Sequence, residues 1–159
     1  MLRMPSFNFA IHIWTVLARL CMVLLIIFPA FACSTLSGSQ ASQDSLTSAV
    51  EAFNTALRWG EYKLAAALVT ADEQERFWSF SDLVEGRIRI TNYEVRQVVW
   101  DSASGTIPVF VKFQYFFMHD PHLQTRTIRQ QWRYSEQAKG WQAAESGVMD
   151  LVQEELPEN

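Results

Sequence analysis

His119, Asp120 and His122 fall within four positions of one another in the stretch "FMHDPHLQ". Imidazole nitrogen and carboxylate oxygen are ligand types suited to zinc or copper, and a histidine beside an aspartate is also a proton-transfer pair. The surroundings support neither use: no cysteine or fourth ligand is close in sequence, and Asp-Pro sets a chain reversal, so the motif reads as a solvated hairpin tip. His12 lies in an apolar leader. Asp72, Glu73 and Glu75 fit the charged first turn of a helix. Arg126, Arg129 and Arg133 alternate with apolar residues, which predicts a basic stripe on a solvated sheet face. No glycine-rich phosphate loop follows a strand, and neither Gly-x-Ser-x-Gly nor His-Glu-x-x-His occurs. The sequence therefore assigns no catalytic residue and no cofactor, and leaves His119, Asp120 and His122 as a weak metal candidate.

The remaining reactive group is a thiol. Residues 1–32 read as an export signal, with Arg3, His12 and Arg19 followed by thirteen uncharged and mostly apolar residues from Leu20 to Ala32. A membrane-spanning helix needs about 20 apolar residues, whereas the apolar region of a signal needs roughly 7 to 15. Extending the run back to Ile11 would bury Arg19 at a cost of about 2.5–3.5 kcal/mol. The end of the run, "FPAFACST", carries a small-x-small site at Ala30-Phe31-Ala32, and Ala32-Cys33 resembles the lipobox of bacterial lipoproteins. It departs from that pattern in having Ala30 where leucine is usual and Phe31 where a small residue is usual. Cys21 would leave with the signal, so Cys33 would be the sole thiol of the exported chain, without a disulfide partner in an oxidising compartment. Acylation of Cys33 resolves this, and the Ser- and Gln-rich residues 34–45 then read as a flexible tether. Ser34 after the cysteine favours the periplasmic face of the outer membrane, by analogy with enteric bacteria.

Composition limits the role of the domain after the tether. The 159 residues are 49% hydrophobic with a net charge of −4, and loss of residues 1–32 leaves 11 basic against 17 acidic side chains. That sign repels phosphate, and no basic run is present, which argues against nucleic acid as a partner. Leu46, Val50, Phe53 and Leu57 are spaced for one helix face, ended at Gly60; a short helix covers about 61–69. Ser48-x-x-Glu51 and Thr70-Ala71-Asp72-Glu73 have the form of capping boxes, the second opening a helix through Phe77 and Phe80. After Gly86 the period becomes two. The parity of Ile88 and Ile90 differs from that of Tyr93 and Val95, which predicts a bulge near Asn92. Residues 101–105 make a hairpin into a strand over 106–118, with Val111, Phe113, Tyr115 and Phe117 on one face. The tip at 119–122 leads to a strand over 125–135, and Lys139-Gly140 to a short one over 141–145. The acidic end is expected to fray.

Helices followed by hairpin-linked strands predict an α+β domain, with the N-terminal helices packed on a curved antiparallel sheet of about four strands. The segments "AVEAFNTALRWGEY", "ITNYEVRQVVWD", "TIPVFVKFQYFF" and "TRTIRQQWRYSEQAKGWQ", with Trp132 and Trp141 near the closing hairpin, resemble the nuclear transport factor 2-like fold, and more narrowly the small bacterial lipoproteins built on it. The resemblance implies a cone-shaped cavity that Phe113, Tyr115, Phe117 and Trp132 would line or fill. The expected organisation is a signal peptide (1–32), lipidated Cys33 and tether (33–45), the α+β domain (46–147) and an acidic tail (148–159). The expected function is that of a lipid-anchored cell-envelope protein, held to the membrane through Cys33, whose non-catalytic domain binds an envelope protein or a small apolar ligand. The alternatives are a small envelope enzyme of isomerase or dehydratase type and a soluble secreted protein cleaved after Ala32.

Overall fold

The computed structural model describes residues 34–100 and 105–152, with side chains from residue 42. Residues 1–33, expected as an export signal and the lipidated Cys33, lie outside the described residues, as do residues 101–104 and 153–159. The described residues from 43 onward belong to one compact unit.

Helix α1 (Ser34–Trp59) carries Leu46, Val50, Phe53 and Leu57 as a buried stripe. It ends in a Schellman motif: Gly60, at φ +73°, donates to the Leu57 carbonyl at 3.1 Å, and Glu61 donates to Ala56 at 2.8 Å. Two expectations change here. Residues 34–45 are helical backbone rather than an irregular tether, because Ser, Gln and Ala carry small helix penalties and no proline stops the buried stripe from propagating its helix backwards. Ser48 accordingly sits inside the helix, donating to the Asp44 carbonyl at 3.0 Å instead of capping.

Helix α2 (Tyr62–Ala66) buries Ala65 and Ala66. A 3-10 turn (Ala71–Glu73) then leads into α3 (Gln74–Val84), which buries Phe77, Phe80 and Val84. The capping box expected at Thr70–Glu73 is not formed. Thr70 has the extended backbone of a cap but makes no side-chain cap bond, and its buried hydroxyl has no partner among the described residues. Glu73 turns inward instead, its Oε1 accepting from Ser146 N at 3.0 Å and Ser146 Oγ at 2.7 Å. A buried carboxylate needs such donors, and Ser146 supplies two where a helix cap would supply one.

Four antiparallel strands, β1 (Ile88–Val98), β2 (Ile107–Phe117), β3 (Asp120–Ser135) and β4 (Gly140–Glu145), lie side by side in chain order. Thr91 is the extra residue of the bulge expected near Asn92, and a second irregularity falls between Val95 and Gln97. Bulges at such positions bend the sheet. β2 alternates strictly, its odd-numbered residues buried and its even-numbered ones half-covered. A backbone bridge from Val69 to Ala143, with Thr70 N donating to the Ala143 carbonyl at 3.0 Å, ties the helical layer to β4.

The chain end also differs from expectation. Residues 148–152 are not a fraying tail: a 3-10 turn (Val148–Leu151) buries Val148, Leu151 and Val152 in the core. Gly147 makes the approach possible. Its φ is +66°, and a Cβ there would stand 2.3 Å from the Arg129 carbonyl oxygen.

Candidate functional site

The concave side of the sheet, facing α1, is filled. Trp132 packs edge-on against Phe53 at 5.8 Å between ring centroids, and Phe53 meets Phe77 at 5.9 Å. Phe113, Tyr115, Phe117 and Trp132 all belong to this buried core and line neither of two clefts on the surface of the domain. Inside the core lies a neutral polar pair. Asn54 Nδ2 donates to the Val50 carbonyl at 2.8 Å, Gln130 Nε2 donates to Asn54 Oδ1 at 2.9 Å, and Trp132 Nε1 donates to Gln130 Oε1 at 3.1 Å. Carboxamides hold this position by hydrogen bonding and do not titrate near neutral pH. Sequence reasoning missed the pair, although Gln130 shares the parity of Ile128 and Trp132 and so had to face inward.

The larger cleft, of about 650 Å³, opens between residues 67–74 and the β3–β4 hairpin. Its lining mixes polar side chains with Val69 and three alanines and carries one charge of each sign, with Arg133 Nη2 standing 3.8 Å from Asp72 Oδ2. Both side chains are mostly exposed, so the pair contributes little to stability and stays available to a ligand. Gln74 is fixed from both ends, donating to the Ala66 carbonyl at 2.8 Å and accepting from Trp78 Nε1 at 3.2 Å. Gln142 donates to the Val69 carbonyl at 3.4 Å, which leaves its own oxygen free to accept. Asp72 was expected only as part of a charged helix turn; its place opposite Arg133 depends on the register of β3 with β4, which the local pattern does not reveal.

A second cleft, of about 310 Å³, lies where the α1–α2 turn meets α3, lined by Tyr62, Leu64, Trp78, Asp82 and Glu85 among others. Burial, and then the nearby Glu85 carboxylate, push the Tyr62 phenol above its ordinary value. The phenol is therefore neutral across the physiological range.

The histidine motif sits apart from both clefts. The reversal is tighter than expected, with the turn at Met118 and His119 and β3 starting at Asp120, so His122 is a strand residue. His122 Nδ1 and its backbone N–H both contact Asp120 Oδ1. Their hydrogen bond holds the His122 ring above the usual histidine range and Asp120 below the usual carboxylate range. His119 instead packs on Phe117, at 5.5 Å between ring centroids. No group of three such side chains is placed to hold a metal ion among the described residues. The three arginines do not form one stripe either. Arg126 shares the parity of the inward residues of β3 and donates to the Asp150 carbonyl, whereas Arg129 and Arg133 have the opposite parity and are exposed.

No family model matches the chain, and no curated protein matches it by sequence. Among solved structures, a ketosteroid isomerase-like protein from Erwinia carotovora atroseptica SCRI1043 is similar to it. The TM-score is 0.52 and the identity 15%, over 64% of this chain and 89% of that one. At this identity the likeness establishes architecture alone. The domain has the nuclear transport factor 2-like α+β fold, helices first and then a curved four-stranded antiparallel sheet. Among the described residues no helix is long and apolar enough to cross a membrane.

Proposed function

We propose that this protein is a lipid-anchored binding protein of the cell envelope, held by an acylated Cys33, whose domain captures a ligand without transforming it. The observation that carries the reading is the filled concave face. Where an enzyme of this architecture would need an open cavity and a tuned acid/base pair, this chain places Trp132, Phe53 and the neutral Asn54–Gln130 pair. Ligand binding falls to the larger cleft, whose volume of about 650 Å³ is of the size that small-molecule sites occupy. Its balanced charges and fixed amides suit a small polar ligand of no net charge, in place of the apolar one that the aromatic strand suggests. The anchor rests on sequence chemistry, namely the short apolar run, the small residue before Cys33 and the lack of a second exported thiol.

The test is nuclear magnetic resonance of the isotope-labelled protein titrated with a library of small neutral polar fragments. Binding is expected to shift the signals of Asp72, Arg133 and Gln142 and to leave the Trp132 indole signal in place. Shifts centred on Trp132 and Gln130, or conversion of a bound fragment, would overturn the reading.

A further inference from the structure

The smaller cleft shares no lining residue with the larger one. Two of its lining residues, Tyr62 and Trp78, are aromatic and packed on rings of the core. Tyr62 packs edge-on against Phe80 at 6.4 Å between ring centroids. Trp78 packs edge-on against Phe77 at 6.0 Å, and its indole nitrogen is tied to Gln74. Trp78 nonetheless keeps 38% of its surface exposed. The rim is acidic: Glu61, Asp82 and Glu85 line the cleft against the single cation Lys63, and none of the four forms an ion pair among the described residues. Leu64 is 60% exposed in the cleft wall, and Trp59, next in sequence to the lining residue Gly60, is 59% exposed.

We infer that this cleft docks a basic segment of a partner protein, receiving an arginine or lysine side chain against Trp78 and Tyr62 with its charge among the carboxylates of Glu61, Asp82 and Glu85. An aromatic face attracts a cation through its quadrupole, and carboxylates left without partners supply complementary charge around it. The raised Tyr62 agrees with this, since one of its causes is the field of Glu85, and a neutral phenol keeps its donor for the incoming chain. A free amine would fill the cleft but leave Leu64 and Trp59 in water. An apolar residue beside the basic one covers them, and exposed apolar surface rimmed by charge is characteristic of protein contacts.

The test is fluorescence anisotropy with the purified full-length chain and two fluorescein-labelled peptides, one of alternating arginine and leucine and the other of alternating glutamate and leucine. The arginine peptide is expected to bind saturably and less tightly as salt is raised, and the glutamate peptide not to bind. The double substitution Asp82→Asn/Glu85→Gln changes two exposed side chains and leaves the core alone. It is expected to weaken the arginine peptide at least about fivefold, the scale of two partly screened charge contacts. Trp78→Phe keeps the packing on Phe77 and is expected to weaken it as well. Equal binding of the two peptides overturns the inference. So does arginine-peptide binding unaffected by both variants, or competition by free cadaverine at the concentrations at which the peptide itself binds.

Discussion

Truncating the two members of the buried amide pair should cost unequal amounts, and the order depends on which groups each truncation strands. Asn54→Ala removes the acceptor of Gln130 Nε2 but leaves Gln130 Oε1 bonded to the Trp132 indole. One buried donor is orphaned, worth about 1–3 kcal/mol. Gln130→Ala orphans Asn54 Oδ1 and Trp132 Nε1 together, so the expectation doubles to roughly 2–6 kcal/mol before the larger cavity is counted. Urea unfolding followed by tryptophan fluorescence reads the difference. With a slope of about 1–3 kcal/mol/M, Asn54→Ala should lower the midpoint by about 1 M and Gln130→Ala by about twice that. Losses under about 0.5 kcal/mol for both variants would mean that water reaches the pair and replaces the lost partners, and the reasoning would fail. A larger loss for Asn54→Ala than for Gln130→Ala would refute it too.

Three further outcomes are expected. Gly147→Ala forces a positive φ on alanine and drives its Cβ into the Arg129 carbonyl; a loss of at least about 2 kcal/mol in thermal or urea unfolding is expected, and an unchanged midpoint would show that the closing turn does not pack against β3. In fractionated cells the wild-type chain should sediment with membranes and carry an acylated Cys33, and Cys33→Ser should release it; a soluble wild type with an unmodified Cys33 would refute the anchor. The His122 ring should titrate above the ordinary histidine value, and Asp120→Asn should bring it down, as read by its proton resonances. The sign is set by both partners. His122, raised in the folded state, contributes stability that is lost as pH rises through its folded value. Asp120, lowered, contributes stability that is lost as pH falls through its own. The turn is therefore most stable between the two, and an unshifted His122 would contradict the contact.

The parts of this fold that could be read in the sequence are those set by local period. The stripe of Leu46, Val50, Phe53 and Leu57 and the alternation of β2 each fix an element and its buried face, and the clash of parities around Asn92 fixes a bulge. The failures came where a distant partner overrode a local rule. Glu73 has the spacing of a capping residue, but Ser146, far along the chain, offers it two donors. Val148 and Leu151 sit in an acidic stretch that looks like a tail, and only the packing against β3 allowed by Gly147 makes them core. Arg126 sits in an alternating run with Arg129 and Arg133, and an odd spacing from both puts it on the other face. The clefts were least legible of all. Asp72 meets Arg133 through the pairing of β4 with residue 69, and Tyr62 joins Trp78 through a helix crossing; neither relation leaves a periodic trace.

Hydrogen exchange at the Trp132 indole nitrogen reads whether the concave face is sealed, because that N–H lies within it and bonds to the buried amide pair. If the face is sealed, this hydrogen exchanges only when the domain unfolds, with a free energy of opening close to the global stability. The exposed indole of Trp59 then serves as the fast internal reference. Protection of Trp132 equal to the global value is the predicted result. Exchange near the rate of Trp59, in a protein that remains folded, would reveal an open cavity and contradict the account.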